Sequence, residues 1–514
     1  MKDKQTLGYE LVKTIILLAC TLVSGCMLFY YMRSSYFNVH DDLYEYCLVV
    51  NGEAFSSILS AAKEQGRIIF LFTNFLEIVP MLAQNMFIYK CFAYASVILV
   101  SVTLWLIVKK HINSDVAWLS VIFYLAFSQL DSQHNSLISY VLWRQIDIWF
   151  CMMGINCYLN YLKSDCRIKK QVILSAVFYI ISALCYENYL LFGAVYFVMS
   201  CVYLINKKNF NVVRAIKGII PHCIAAAVYL TVYYSWSFMY PSTYEGTQID
   251  SGIDIVGSSL ALLSYTFGKF PGYTAGRMLV SRDKLSLSYF ASQTSAFDII
   301  QMLLIVAAFI VIVAGLKKSD KKIGGKTMVY TIGLCVGSAL LLNVLIAMTA
   351  KYKQWVIAGG AYSYVSTNAS FMFLCVVLAS LSIYLFEIIP EKIRALRGLY
   401  AGAVSVVLVV LSLLINVSND TFADEELVIA RRYEAFDSFV RSDMLDEVSE
   451  SDVVYIPEFE EYNSLDCDFE KYTLGVSGKK VNYRQNKDDI DWNKKVYYYY
   501  YDYDNKSLTW DIIN

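Results

Sequence analysis

Charged residues are scarce in this chain. Asp, Glu, Lys and Arg make up 17% of its 514 residues, against about 25% in an ordinary soluble domain, which excludes a water-soluble globular protein. Prolines number only six, and there is no Pro-rich linker, no low-complexity tract and no internal repeat. The missing repeat takes away the usual signature of a transporter built from related halves. Four histidines and thirteen cysteines show no zinc-ligand spacing. Most of the cysteines sit inside apolar stretches, where Cys acts as a small apolar residue, so no disulfide framework is implied. Cys47 and Cys467 alone fall where a bond could form outside such stretches.

Hydrophobic residues make up 57% of the chain, and mean hydropathy is +0.47. Stretches near the roughly 20 residues needed to cross about 30 Å of hydrocarbon recur along most of its length. There are eleven, at 14 to 32, 86 to 108, 116 to 130, 142 to 162, 171 to 186, 188 to 205, 218 to 238, 296 to 316, 327 to 349, 370 to 388 and 398 to 416. The fold class expected is an α-helical polytopic membrane protein. The first stretch is too long for a signal-peptide core and has no small-residue cleavage site, so it reads as a retained helix. Basic residues cluster in every second connection: Lys109 and Lys110; Lys163 to Lys170; Lys207 to Lys217; Lys317 to Lys326; Lys392 to Arg397. Positive loops stay cytoplasmic. The N-terminus is therefore expected inside and the C-terminus outside.

From Asp420 onward 23 acidic residues stand against 11 basic ones, a net of −12, while the rest of the chain carries +11. An acidic tail does not suit nucleic acid, which needs basic surface. The expected division is a membrane domain over 1–418 and an extracytoplasmic α+β domain over 419–514. Within the tail a helix is expected over Glu425 to Leu445, with strands at 453 to 457 and through the tyrosine run at 497 to 501. Two exterior connections are long, 33–85 and 240–294. In the first, Leu43 to Ala62 reads as one amphipathic interfacial helix. Ile68 to Leu76, too short to span before Glu77 and Pro80, reads as an interfacial or re-entrant segment.

Asp41 and Asp42 follow the first span at once. Two acids at the membrane edge can divide the labour of proton acceptor and substrate or metal orienter, or Asp42 with Glu45 can form a capping box. Gln65-Gly66-Arg67 lies further along the same loop. There a guanidinium fork suits phosphate and Gly66 allows close backbone approach; Arg67 can equally be a snorkelling anchor. Tyr186-Glu187 occupies a tight exterior turn, where a carboxylate must be solvated, paired or turned to a cavity. Arg144 and Asp147 can pair at i, i+3. His134 is a lone histidine at the same mouth. Lys269, Arg277, Arg282, Lys284, Lys351 and Lys353 break the inside-positive pattern, as solvated loop charges or a phosphate clamp. Tyr244, Glu245 and Thr247 add polar groups to the second loop.

The Asp-Asp pair after span one, the Gln-Gly-Arg on the same loop, the Tyr-Glu turn and the terminal domain together resemble bacterial GT-C glycosyltransferases of the Gtr, O-antigen glucosyltransferase, kind. That resemblance implies a GT-C-like membrane domain and a polyprenyl-phosphate-linked sugar donor, its isoprenoid in the bilayer. The acceptor would be a cell-surface glycan or polymer. Asp41 or Asp42 would be the general base of an inverting transfer, and Arg67 would hold the leaving phosphate with Arg277 or Lys353. Gln65, Gly66, Tyr186, Glu187, Arg144 and His134 would line the substrate pocket. A divalent cation, Mg or Mn, stays open. A lipid-linked glycan flippase, another transporter or a polysaccharide polymerase is the alternative, set against a polar inventory crowded at the exterior edge instead of deep in the helices.

Overall fold

The computed structural model describes residues 2–37, 40–132, 134–242, 246, 254–316, 323–459, 465–502 and 507–513. Every apolar stretch expected to span forms a helix. Among the described residues eight helices are long and apolar enough to cross a membrane: Gly8–Arg33, Met86–His111, Glu187–Asn206, Val212–Met239, Ala296–Leu316, Gly325–Met348, Thr367–Ile388 and Arg394–Val440. The other three are Ser114–Ala126, Trp143–Lys163 and Lys169–Cys185. The first of these has 13 residues, a rise of about 20 Å, short of the hydrocarbon thickness. Trp143–Lys163 is long enough but carries Arg144 and Asp147, both buried. Thr367–Ile388 is the central helix, 72% of its apolar window buried against Gly325–Met348 and Ser114–Ala126. Leu11, Val228, Leu303 and Val406 stay exposed on the surrounding helices, as lipid-facing side chains do.

The first helix, α1 (Lys2–Arg33), leads into three short helices, α2 (His40–Val50), α3 (Ala54–Glu64) and α4 (Phe70–Met81), and then the long α5 (Met86–His111). The single amphipathic helix expected over Leu43 to Ala62 is corrected. It breaks at Asn51-Gly52, where Gly52 takes φ +73°, a left-handed conformation that glycine adopts without penalty. α2 does not lie open on an interface. Asp42, Leu43, Glu45, Tyr46, Cys47, Leu48 and Val49 are all buried, because the C-terminal tail covers this helix.

The last span does not stop where its hydropathy does. Arg394–Val440 is one helix of 47 residues, so the tail helix expected over Glu425 to Leu445 is corrected to the continuation of the span, followed by a 3-10 turn at Asp443–Glu447. The division at 418/419 falls inside this helix. Beyond it, β1 (Val453–Tyr455), β2 (Asn482–Arg484), β3 (Val496–Asp502) and β4 (Ser507–Ile512) form a sheet in the order β2-β1-β3-β4. β1 runs parallel to both neighbours, and β3 pairs antiparallel with β4, Tyr499 opposite Trp510. The tyrosine run alternates as a strand must: Tyr497, Tyr499 and Tyr501 are buried, with Tyr499 4.3 Å from Phe439 and stacked on Trp510 at 5.8 Å. These rings pack the sheet onto the end of the long helix. All thirteen cysteines are free; Cys47 Sγ donates to the Asp468 carbonyl at 3.4 Å and is not bonded to Cys467.

Candidate active site

The acidic pair divides into one outward and one inward carboxylate. Asp41 is exposed, while Asp42 is 0% exposed. Both lie in the first turn of α2, where the helix dipole favours anions. Asp42 is inside the helix instead of ahead of it, and its carboxylate goes elsewhere than a capping box. The backbone N–H of Tyr140 donates to Asp42 Oδ1 at 3.2 Å, and Tyr89 Oη donates to Oδ2 at 3.2 Å. Tyr140 Oη in turn donates to Asp41 Oδ2 at 2.6 Å. One tyrosine is therefore gripped at its backbone by Asp42 and at its phenol by Asp41. Tyr140 takes φ +52°, a conformation costing a non-glycine residue on the order of 1 kcal/mol. The buried Asp42 holds it there.

Behind this pair lies a set of acids shielded from water. Burial pushes Asp42 up to about 6, opposed by a hydrogen bond from Glu77, the Tyr140 N–H and the Lys90 charge. Burial, then the charges of Asp42 and Glu45, hold Glu77 well above the usual carboxylate range. Burial and the nearby Asp41 and Asp42 push Glu45 up to about 7, and Asn74 Nδ2 donates to its Oε1 at 3.1 Å. Lys90, fully buried, ties the loops together by donating to the carbonyls of Tyr36 at 2.9 Å and Ile138 at 3.3 Å.

Around Asp41 stands a wall of rings. His134 (φ +50°) lies 6.4 Å from the Tyr140 ring, 5.5 Å from Trp355 and 5.4 Å from Tyr364. Burial lowers its pKa against the charges of Asp41 and Asp131. Lys351 Nζ sits 5.5 Å over the Trp355 ring. Arg144 is sandwiched between Trp143, at 3.7 Å, and Tyr186, at 3.9 Å. It pairs with Asp147 at 3.3 Å, as i, i+3 spacing allows, and its buried Nε has no partner. Asp147 also accepts from Tyr189 Oη at 2.9 Å.

The remaining residues singled out from the sequence divide between this centre and its surroundings. Arg67 meets Glu187 fork to fork, at 2.9 and 2.7 Å, so the Gln-Gly-Arg turn is tied to the Tyr-Glu turn. Gln65 caps the end of α3. Gly66 (φ +61°) brings its backbone close to the chain itself: a Cβ there would stand 2.6 Å from the Tyr240 carbonyl oxygen. The second-loop cations do not converge. Lys269 is buried against Asp131 and donates to the Gln129 carbonyl. Arg282 and Lys284 both reach Glu425. Lys353 stands 3.4 Å from Asp254. Tyr244, Glu245 and Thr247 lie outside the described residues.

Arg277 differs. It is exposed, its Nη2 donates to the neutral Gly360 carbonyl at 3.0 Å, and its guanidinium lies 4.5 Å over the Tyr362 ring. It stands at an apolar cavity of about 740 Å³ lined by Leu260, Leu263, Phe267, Phe270, Val356 and Ile357. The helix Ala350–Ile357 serves both places, with Lys351 and Trp355 toward His134 and Val356 and Ile357 toward the cavity. Gly360 and Tyr364 are four residues apart, at most about 14 Å of chain. Among the described residues no group of three His, Cys, Asp or Glu is arranged to hold a metal ion.

Tyr140, Tyr89, Lys90 and Trp355 drew no attention in the sequence, where nothing distinguishes them from other aromatic or basic residues near span ends. Glu45 and Glu77 were visible only as a cap partner and the end of an apolar run.

No family model matches this chain, and no curated protein matches it. Among solved structures, the apo oligosaccharyltransferase of Archaeoglobus fulgidus aligns at 10% identity with a TM-score of 0.41, covering 92% of this chain and 64% of that one. The same organism's AglB, with an inhibitory peptide and a dolichol-phosphate, aligns at 12% identity with a TM-score of 0.35. ArnT from Cupriavidus metallidurans bound to undecaprenyl phosphate aligns at 10% identity with a TM-score of 0.37, covering 95% of this chain and 93% of that one. The chain thus spans about two-thirds of the oligosaccharyltransferase length.

Proposed function

We propose that this protein is a GT-C-type membrane glycosyltransferase that moves a sugar from a polyprenyl-phosphate donor to a surface glycan or polymer, with Asp41 as general base. The observation that carries this reading is the exposed Asp41 carboxylate held by Tyr140 Oη at 2.6 Å, beside an aromatic wall and one short chain segment from an apolar cavity with a guanidinium at its edge.

Asp41 takes the proton from an acceptor hydroxyl while its second oxygen stays on Tyr140. The hydroxyl oxygen bonds to the anomeric carbon from the face opposite the leaving group, and the bond from that carbon to the phosphate oxygen breaks. Configuration inverts, and the electron pair leaves on the polyprenyl phosphate. Arg277 suits that phosphate because its present partners are neutral oxygens and the faces of Tyr273 and Tyr362, which a phosphate can supplement with a charge-assisted fork. The adjoining cavity takes the first isoprene units. Lys353, on the helix that separates cavity and wall, serves as the second cation once it leaves Asp254, 3.4 Å away. Arg67 acts through Glu187 to fix the Tyr186 ring on Arg144, and His134, Trp355 and Tyr364 offer ring faces to a sugar.

Among the described residues no group of three His, Cys, Asp or Glu is placed to hold a divalent cation, and Asp42 is turned inward onto the Tyr140 N–H. We place it in a bacterial cytoplasmic membrane; the alternation of basic loops supports an N-terminus inside, with Asp41 and the tail on the outer side. Glycan profiling of a deletion strain identifies the sugar. Transfer of that sugar from its polyprenyl phosphate by membranes containing the wild-type chain, and its loss in Asp41→Ala, is the expected result. An unchanged glycan profile together with undiminished transfer by Asp41→Ala would move the preference to the flippase or polymerase class.

A further inference from the structure

A transferase centred on Asp41 has no evident need of residues beyond its last span, yet the main packing partner of α2 is a tail helix, Asp466–Ser477. The contacts run the whole length of α2. At its start, His40 Nε2 meets Asp468 Oδ2 at 2.9 Å; Asp468 is 1% exposed, and the same oxygen accepts the Leu465 N–H at 2.8 Å. In its middle, Cys47 Sγ donates to the Asp468 carbonyl, and Lys471 Nζ stands 4.4 Å over the Tyr44 ring. At its end, Asn51 Nδ2 donates to the Lys471 carbonyl at 2.7 Å. Gly475 fits here for want of a side chain: a Cβ would lie 2.9 Å from Val50 Cγ1 and 3.0 Å from the Asn51 nitrogen. Just ahead of α2, Tyr36 stacks on Tyr433 of the long helix, 4.4 Å apart and 4° from parallel. The chain on both sides of Asp41 is therefore held by the tail, and Asp41 itself is held by Tyr140 of the membrane domain.

We propose that the C-terminal domain is a positioning domain for the transfer: Asp468 on His40, and the bare helix face at Gly475, fix α2 so that Asp41 keeps its place on Tyr140. His40 and Asp468 are positioning residues; neither touches substrate. The inference rests on the general-base reading of Asp41. Misplacing a reacting group by about 1 Å can cost on the order of 10² in rate, so a wedge between the two helices should be felt at Asp41 without any change in the side chains around the sugar or the phosphate.

The test uses the full chain in lipid nanodiscs, comparing wild type with Gly475→Leu, which drives a side chain into Val50 and Asn51, and His40→Ala, which releases Asp468. His40→Gln restores a donor toward Asp468. Two measurements are made on each: hydrogen exchange over residues 40–51, and steady-state transfer from polyprenyl-phosphate glucose or the sugar that profiling identifies. Exchange over 40–51 should accelerate about tenfold or more in Gly475→Leu and His40→Ala while the spanning helices keep their protection. In the same variants kcat should fall about 10- to 100-fold with donor KM within about twofold, and His40→Gln should recover most of the loss. Unchanged exchange in both variants overturns the proposal, because the tail then does not hold α2. Faster exchange with unchanged kcat overturns it too, because the tail then holds α2 to no catalytic effect. Should Gly475→Leu fail to accumulate, His40→Ala, at a partly exposed site, decides the matter. A wild-type protein that transfers no polyprenyl-phosphate sugar overturns the transferase reading and the positioning role with it, and the exchange data distinguish that failure from a tail that is merely loose.

Discussion

Replacing each carboxylate of the acidic pair by its amide separates two roles that sequence proximity conflates. Asp41 is exposed and makes one hydrogen bond, from Tyr140 Oη; an asparagine carbonyl oxygen accepts it equally well. Asp41→Asn should therefore change stability by less than about 0.5 kcal/mol, as surface substitutions usually do, while lowering kcat by about 10² to 10⁴, the range for loss of a general base. Asp42→Asn keeps an oxygen for the Tyr140 N–H, and Tyr89 Oη can turn to accept from the new amide, so the loss is roughly one net hydrogen bond, about 1 kcal/mol. Asp42→Ala is different in kind. It orphans the Tyr140 N–H and the Tyr89 hydroxyl in a buried site, at about 1 to 3 kcal/mol each, and frees Tyr140 from its left-handed backbone. That variant should lose stability and activity together.

The assay is transfer from the polyprenyl-phosphate sugar in purified membranes, alongside thermal unfolding of detergent-solubilised protein. The expected pattern is Asp41→Asn folded and inactive, Asp42→Asn folded and active within about tenfold, Asp42→Ala unstable and inactive. A dead Asp42→Asn beside a live Asp41→Asn would reverse the assignment. Near-normal rates in both amides and in the double variant would remove general-base catalysis by this pair altogether.

Arg277→Ala should raise donor KM about 10- to 100-fold with a smaller change in kcat, the loss of one or two charge-assisted hydrogen bonds to phosphate; an unchanged KM places the phosphate elsewhere. Arg67→Ala leaves the half-buried Glu187 charge without its fork, so the double variant Arg67→Ala/Glu187→Ala should accumulate better and transfer faster than either single one, and a double variant as poor as Arg67→Ala would return Arg67 to direct substrate contact. The hydrogen bond to Asp468 raises the His40 pKa against partial burial, with Asp41 adding to the rise and Lys471 opposing it. Protonated His40 thus favours the docked tail, fully below the unfolded value and progressively less as pH rises through the raised one. Exchange over residues 40–51, corrected for its intrinsic pH dependence, should accelerate as pH rises through the ordinary histidine range and above it, and Asp468→Asn should flatten the profile; a flat wild-type profile would remove His40 as the titrating group.

Hydropathy located the helices well, because burial in lipid acts on every residue of a span. Ala296–Leu316 has the ends its apolar run suggests. Where hydropathy misled, it was asked a question it does not answer. The fall in apolarity after residue 416 marks where hydrocarbon ends, yet no Pro, and no Gly after Gly402, interrupts Arg394–Val440, so nothing ends the helix there. At Asn51-Gly52 a turn signal was present, but apolar periodicity resumes on the far side and reads as one helix. The acidic pair was legible as a site, since its residue types and location suffice. Which acid faces outward was not, because Asp42 is claimed by Tyr140, 98 positions along the chain. The same holds for Arg67, claimed by Glu187 at a separation of 120. Pairings of that range leave no trace in a single sequence.

The long final helix explains how a tail so far from the first span in sequence comes to act beside it. At about 1.5 Å per residue its 47 residues extend about 70 Å, more than twice the hydrocarbon thickness, so it leaves the bundle as a rigid post. Its buried polar residues sit where the apolar run ends. Asn416 Nδ2 donates to Gln301 at 2.7 Å, and Asn419 both donates to the Ser128 carbonyl at 2.9 Å and accepts the Leu130 N–H at 2.9 Å. Ser128 and Leu130 belong to the connection that carries His134 and Tyr140. Further along the same helix, Tyr433 stacks on Tyr36, and Phe436 packs against Phe469 and Tyr472 of the helix that holds α2. Both sides of Asp41 are thereby referred to one element: Tyr140 through Asn419, and α2 through Tyr433 and Phe436. A carboxylate at the junction of two mobile loops would wander by ångströms; fixed from both sides to a single helix, it keeps its distance to Tyr140 for as long as that helix stays straight.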